Sequence, residues 1–521
     1  MINIRDYLNR AAMYFPNHEV VIHKETRLTT TQLLDRTYRV SNMLLDLGLR
    51  KGDRVAVLLQ NCHQCVECFH GINSAGLVLV PLNARNANAE HLYMLNNAEA
   101  SAILFGGEFK EAVLSILPEA KTVSHAICVT GKPPKTMPDY EELLQNASPE
   151  EPQVDISQED MMTIRYTSGT TGKPKGVLHT HRNIITTLQN ALMEDTFRIQ
   201  EGDVIALMGP VTHASGSMIL PHIVRGAKVI ILSGFDPKGI LELIEKERVS
   251  TLYLVPTMIV MMLAQPDIEK YDLSSLKTIR YGASPISPEV LKRAIQVFGD
   301  VFIQGYGLTE GSMPLTLLSK KDHVLDGTEK QLNRLNSVGR EVLVAKVRIM
   351  DEEGNILPPG EIGEIVVRSE QNMKGYWKNP EATKEALRGG WLHTRDMGYM
   401  DEEGYLFLVD RKEDMIISGG FNVYPKEVED VLYRHPAVLE AAVFGVPDEK
   451  WGEAVRAAVS LKAGKTATEE EIIAHCKKHL ASYKKPQRVD FLADLPKNAY
   501  GKILRRVLKE PFWKGKTRKV N

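Results

Sequence analysis

Lys228-Val229-Ile230-Ile231-Leu232, then Pro237–Glu247, then Thr251-Leu252-Tyr253-Leu254-Val255 is the stretch that decides the fold of this 521-residue chain. The outer runs are short, apolar and rich in β-branched residues, and the segment between them carries its apolar residues at helical spacing. Strand, helix, strand in that order predicts a βαβ unit, whose crossover is right-handed and whose sheet is covered on both faces. The alternation extends outward. Residues 204–208 before it, and 278–281 and 301–304 after it, read as further strands, with helices at 257–264 and Pro288–Phe298. Nearer the N-terminus 31–47, 54–60, 65–75 and Val78–Pro81 repeat the grammar, so two doubly wound α/β subdomains are expected. After about 337 the pattern changes. Strands at 341–350, Gly363–Ser369 and 404–409, separated by Asp-Glu-Glu-Gly turns at 351–354 and 401–404, predict a small antiparallel β unit. From 423 onward mixed strands and charged helices such as 469–480 predict a small α+β domain, with a boundary that divides 1–412 from 413–521.

Composition narrows the function. Lys plus Arg number 64 against 66 Asp plus Glu, a net charge of −2, which gives no global attraction to nucleic acid. Hydrophobic residues at 43% and charged residues at 25% exclude a long disordered chain. Five cysteines argue against a disulfide framework and for a reducing compartment, so a cytoplasmic location is expected. The start, Met1-Ile2-Asn3-Ile4-Arg5-Asp6, lacks a signal core, and Lys519-Val520-Asn521 is not a peroxisomal address. The uncharged run 249–266 reaches the lower limit of a membrane span, yet it contains Ser250, Pro256, Gln265 and Pro266. It reads instead as a buried strand, a proline turn and a core helix. Cys62, Cys65 and Cys68 share one helix face as small buried apolar residues, because no fourth ligand follows with iron–sulfur spacing.

The densest chemical signal is Tyr166-Thr167-Ser168-Gly169-Thr170-Thr171-Gly172-Lys173-Pro174-Lys175-Gly176, fed by a strand-like run at 162–166. Glycines let backbone approach an anion, while hydroxyls and two lysines supply donors and positive charge for a polyphosphate. It is not a Walker loop, since Pro174 stands where Ser or Thr would be needed. His213 follows a strand end, where ligands meet open α/β sheets, and its neighbours Ala214, Ser215 and Gly216 leave room beside it. A structural histidine is the alternative reading there.

The loop at 166–176 resembles the phosphate loop of the ANL superfamily of adenylate-forming enzymes, and the resemblance holds in order along nearly the whole chain. Gly282-Ala283-Ser284-Pro285-Ile286 is similar to that family's adenine-side turn, and Gln304-Gly305-Tyr306-Gly307-Leu308-Thr309-Glu310 to its next signature. Trp391-Leu392-His393-Thr394-Arg395-Asp396 resembles the ribose-binding segment, with Arg395 where many relatives carry Gly. Asp410-Arg411-Lys412-Glu413-Asp414 resembles the interdomain hinge, with Glu413 where Asp or Lys is common. Ser418-Gly419-Gly420 belongs to a segment like the thiol-side hairpin, and 496–503 is similar to the catalytic-lysine loop, with the domain that carries it expected to be mobile.

The resemblance implies a role for each matched position. Thr167, Ser168, Gly169, Thr170, Thr171 and Lys175 would cradle ATP phosphates, and Gly282, Ala283, Ser284, Gln304, Gly305, Tyr306 and Gly307 the adenine side. Asp396 and Arg411 would hold the ribose, Glu310 Mg²⁺, and Thr309 the AMP phosphate. His213 would line the acyl pocket, and Ser418, Gly419 and Gly420 would serve the CoA step. Lys502 would neutralise carboxylate and α-phosphate during adenylation, the kind of charge that joining two anions requires. The implied activity is an ATP-dependent acyl-CoA synthetase working through acyl-AMP, with Mg²⁺ as cofactor and CoA as co-substrate. An aromatic acid, or a carrier-protein phosphopantetheine as acceptor, stays open as the rival, and so does a homodimer. Around 213–218, with 282–284, 304–305 and Met313, the sequence offers no basic side chain for a second carboxylate and no acidic one for an ammonium. An apolar monocarboxylic acid is therefore expected, medium- or long-chain aliphatic ahead of aromatic.

Overall fold

The computed structural model describes residues 3–135, 137–167, 173–194, 198–282, 286, 288–411, 414–418, 421–448, 451–497 and 503–514. The chain forms two compact units, one of Met1–Ala283, Lys292–Val347 and Val367–His393, the other of Ser284–Leu291, Arg348–Val366 and Thr394–Asn521.

The first unit contains two large mixed sheets. Across one, the strands run in the order Arg340–Glu341, Ser312–Leu318, Phe302–Leu308, Thr278–Gly282, Thr251–Leu254, Val204–Leu207, Lys228–Ile231, Glu19–His23 and Thr26–Thr29. The run from Glu19–His23 to Phe302–Leu308 is parallel, as the βαβ reading requires. Helices Pro237–Glu247 and Pro288–Phe298 begin on the prolines that mark them in the sequence, since Pro fits the first helical turn at no hydrogen-bond cost. The second sheet runs Gly375–Tyr376, Lys175–Thr180, Met161–Thr167, Val78–Pro81, Arg54–Leu58, Ala100–Gly106 and His125–Thr130. Helix His63–Ser74 packs in the core of this unit with Cys65 and Cys68 fully buried. The uncharged run resolves into strand Thr251–Leu254 and helix Pro256–Leu263. That helix leaves Val260 and Met261 exposed, so only one of its faces belongs to the core. No described helix is long and apolar enough to cross a membrane.

A four-stranded sheet runs Ala345–Met350, Gly363–Ser369, Leu392–Met400 and Leu406–Arg411. The last described sheet, in the second unit, runs Phe421–Val423, Ile416–Ser418, Gly452–Leu461 and Val438–Asp448, with Arg488–Phe491 beside Gly452–Leu461. Helices Pro425–Tyr433 and Glu469–His479 cover it over a core that includes Ile416, Val443, Val459 and Ile472.

Candidate functional site

The strand Met161–Thr167 and its antiparallel partner Lys175–Thr180 place the loop ends by simple alternation. Their register pairs Thr163 with His179, Arg165 with Val177, and Thr167 with Lys175. Side chains on one strand alternate between faces, so Thr163, Arg165, Thr167, Lys175 and His179 share one face. Ile164 and Tyr166 take the other and pack into an apolar core, where Tyr166 Oη donates to Asn97 Oδ1 at 2.6 Å. The polar face is thus set by an apolar one. Ser168, Gly169, Thr170 and Thr171 lie outside the described residues.

On the neighbouring sheet, Phe302–Leu308 turns through Thr309–Gly311 into Ser312–Leu318. Gln304 and Tyr306 are buried within this hairpin, and Gly307, Thr309 and Glu310 are half-buried at its turn. Gly282 ends the adjacent strand in register with Gly305, and a Cβ on Gly282 would stand 2.5 Å from the Gly305 carbonyl oxygen, so no other residue fits. Ala283 and Ser284 lie outside the described residues.

The segment 371–377 ties these pieces together. Lys374 and Trp377 donate backbone N–H groups to Leu178 and Gly176, and Met373 N–H donates to the Glu310 carbonyl at 2.7 Å. Buried Gln371 donates through Nε2 to the carbonyls of Gly311 and Pro314. Tyr376 results in a bridging position: its Oη donates to Glu310 Oε1 at 2.9 Å, and its ring centroid lies 5.1 Å from Lys175 Nζ. Sequence reasoning missed Tyr376 and Gln371. Their signal is a Gly-Tyr-Trp run at 375–377 with nothing in it that names a partner 66 residues away.

The His213 loop hangs from Asn61, which donates to the Gly209 carbonyl at 2.8 Å and accepts from Val211 N–H at 3.0 Å. A tight turn follows, in which a Cβ on Gly216 would collide with the Val211 carbonyl at 2.0 Å. Burial and the Arg165 charge push the His213 imidazole down to about 4, so it is neutral at neutral pH. The same two causes push His179 down to about 3. His179 faces the Thr309 backbone, though neither ring nitrogen makes a well-formed hydrogen bond. The fold also brings in a base that sequence reasoning did not place. Arg280 is buried with Nη1 3.2 Å from Met218 Sδ, its guanidinium 5.8 Å over the Tyr253 ring, and a Cβ on Gly305 would stand 3.2 Å from its Nη2.

In the second unit Asp396 is buried and paired in register with Arg411, and its N–H donates to Thr394 Oγ1 at 3.1 Å. Arg395 before it takes φ 63°, the left-handed region that favours glycine, which accounts for the Gly common at this position in the resemblance. Ser418 is buried and pairs with Phe421 across a hairpin. Lys502, Glu413, Gly419, Gly420 and the side chain of Arg411 lie outside the described residues. Next to Lys502 in sequence, Arg505 donates to Glu429 at 2.6 Å, Asp414 at 3.0 Å and Asp410 at 3.4 Å. Those carboxylates hold its guanidinium well above the ordinary range despite burial.

Glu310 presents one carboxylate whose Oε1 is held by Tyr376, and the Tyr376 ring in turn lies against Lys175. Mg²⁺ is ordinarily bound by one or two carboxylates together with substrate phosphates, and a single such carboxylate fits that donor set. Among the described residues there is no cluster of three potential metal-ligating side chains.

Known proteins share this arrangement over the whole chain. The AMP-binding enzyme family matches residues 8–377, and the AMP-binding enzyme C-terminal domain matches 427–502. The medium/long-chain-fatty-acid–CoA ligase FadD8 of Mycobacterium tuberculosis is 36% identical over 517 residues, covering 97% of this chain and 89% of its own. Feruloyl-CoA synthase of an Amycolatopsis species is 37% identical over 505 residues, covering 96% and 98%. Among solved structures, the amide bond synthetase McbA from Marinactinospora thermotolerans superposes with a TM-score of 0.88 at 29% identity, covering 98% and 100%.

Proposed function

The chain belongs to the AMP-binding enzyme family as an acyl-adenylate-forming acid–CoA ligase, and we propose that its acid has an extended apolar body, medium- or long-chain aliphatic in preference to aromatic. ATP, CoA and a carboxylic acid are its substrates. The observation that carries the finer reading is the wall beside His213. Ala214, Gly216, Met218, Gly305 and Met313 are small or apolar, and none is acidic, so an amino acid's ammonium would find no partner there. His213 is neutral and part-buried and adds no charge to that wall.

In this reading, carboxylate and ATP first give acyl-AMP and pyrophosphate. Thr167, Lys175 and the loop that joins them bind the phosphates, Thr309 the α-phosphate, and Tyr306, Gly282 and Gly305 the adenine, while Asp396 holds the ribose. Glu310, steadied by Tyr376, would hold Mg²⁺, which neutralises phosphate charge when bound. Lys502 supplies the positive charge that lets two anions meet. A turn at Glu413 then presents Ser418, Gly419 and Gly420 for CoA, whose thiol attacks the adenylate and releases AMP. Relatives named for fatty acids and for ferulate leave the acid itself to experiment. Purified protein, ATP, CoA and a panel of acids test it: CoA-dependent AMP release should be faster with acids of extended aliphatic body than with aromatic or short ones. Faster turnover on a free amino acid, or adenylation with no CoA dependence, overturns the reading.

A further inference from the structure

Arg165 stands apart among the charged side chains of the first unit. It projects from Met161–Thr167 on the face shared with Thr167 and Lys175, two residues deeper in the sheet than the phosphate loop, a step of roughly 7 Å. Its charge reaches His179 on the adjoining strand and His213 on the loop after Val204–Leu207. Among the described residues its guanidinium has no carboxylate, no ring and no hydrogen-bond acceptor, and its Nε is sealed from solvent with no partner. Arg280 differs, for it is spread over Tyr253. On the same face as Arg165, and within reach of its charge, lie further buried polar atoms without a well-formed hydrogen bond: Thr163 Oγ1 and both His179 ring nitrogens. Arg165 is half-buried with its Nε sealed, and a partly desolvated cation without a counter-charge is costly, since buried polar atoms are otherwise almost always hydrogen-bonded. Such a cluster is retained where a ligand supplies the missing acceptor. The reacting carboxylate and the phosphates are already assigned Lys502, Lys175 and Thr167, and the charge of Arg165 is felt at His213 instead.

We propose that Arg165, with His179 beside it, is a specificity-determining residue that receives an oxygen acceptor carried on the body of the acid, a hydroxyl or a second carboxylate remote from the reacting one. This rests on the reading that the acid lies along the His213 loop. It deepens that reading, because the pocket then takes an apolar body with one polar end.

Matched acids test it: octanoate against ω-hydroxyoctanoate and octanedioate, and hydrocinnamate against its para-hydroxy derivative, each by CoA-dependent AMP release. The wild-type protein should prefer an oxygenated member over its plain partner by about 10-fold or more, the scale of a hydrogen bond to a charged group. In Arg165→Met that ratio should fall by about 10- to 100-fold, while Arg165→Lys keeps part of it. A win for the hydroxy acids identifies a neutral acceptor. A win for octanedioate identifies an anion and replaces the monocarboxylic part of the earlier reading. Wild-type preference for the plain acids overturns this inference and leaves the earlier reading standing, and this comparison needs no variant to fold. Equal loss on every acid in Arg165→Met, or a raised KM for ATP in pyrophosphate exchange, also overturns it. CoA-dependent AMP release with no acid at all overturns both.

Discussion

Replacing Tyr376 with phenylalanine isolates the support given to Glu310. The ring stays, so its contact with Lys175 Nζ at 5.1 Å survives, and the backbone pairing of Tyr376 with Val177 does not involve the hydroxyl. What disappears is one O–H donor, 2.9 Å from Oε1 of a half-buried carboxylate. Two effects then compete. Losing the donor returns charge density to the carboxylate and favours cation binding, while freeing the side chain lets it leave the orientation that a cation needs. Outer-shell partners of metal-binding groups, when removed, usually cost about 10- to 100-fold in affinity, so orientation should win. Tyr376→Phe is therefore expected to raise the Mg²⁺ concentration for half-maximal acid-dependent pyrophosphate exchange by about 10-fold or more. The KM for the acid should change little. Calorimetric titration of Mg·ATP should show the same weakening without turnover. Unchanged Mg²⁺ dependence, with Glu310→Gln shifted, would refute the argument that Tyr376 acts through Glu310.

Lys502→Ala should cut acyl-AMP formation by roughly 10²–10³, the cost of losing one positioned charge at a developing anion, while preformed acyl-AMP plus CoA still yields thioester. A bulky residue at Gly420 should do the reverse, and equal slowing of both half-reactions by Lys502→Ala counts against alternating use of the small domain. Stability should fall as the solution is acidified, because burial holds His179 at about 3 and His181, His213, His222 and His323 at about 4. An unfolded histidine titrates near 6.5, so the stabilisation is complete above that pH and is lost as pH falls from there toward 4. At pH 5 each such group has forfeited about 2 kcal/mol; a urea midpoint that is flat between pH 7 and pH 5 would contradict the burial described.

The parallel core was legible because its grammar is local. Pro237–Glu247 and Pro288–Phe298 carry their own start signals and their own apolar faces, and strand Val78–Pro81 lies in a buried apolar run between Gly76 and Asn83. Where pairing is non-local the sequence was silent. Glu19–His23 adds to the nine-stranded sheet through Val21 and Val229, over two hundred residues apart in the chain, and no pattern announces that. The stretch 341–350 reads as one strand but divides into Arg340–Glu341 and Ala345–Met350, which pair in different sheets. Signature positions such as Glu310 and Asp396 were found through resemblance, whereas Tyr376, Gln371 and Arg165 were not. Each of these three looks ordinary in sequence, an aromatic in a turn, a polar residue in a loop, a cation inside a strand. Their meaning comes from what another strand places beside them.

Arg505 has a consequence for how the lysine loop can travel. Its guanidinium grips Asp410 and Asp414, and those two residues flank the positions proposed as the hinge. Lys426 also donates its backbone N–H to Asp410 at 2.8 Å, so the far end of this grip is anchored twice. In the proposed turn at 412–413 these bonds cannot all be kept: the longer Asp410 arm would open while Asp414 and Glu429 stay with the helix Arg505–Trp513. The guanidinium and its carboxylates are largely buried, and buried ion pairs are screened far less than exposed ones, so added salt should do little to loosen that hold.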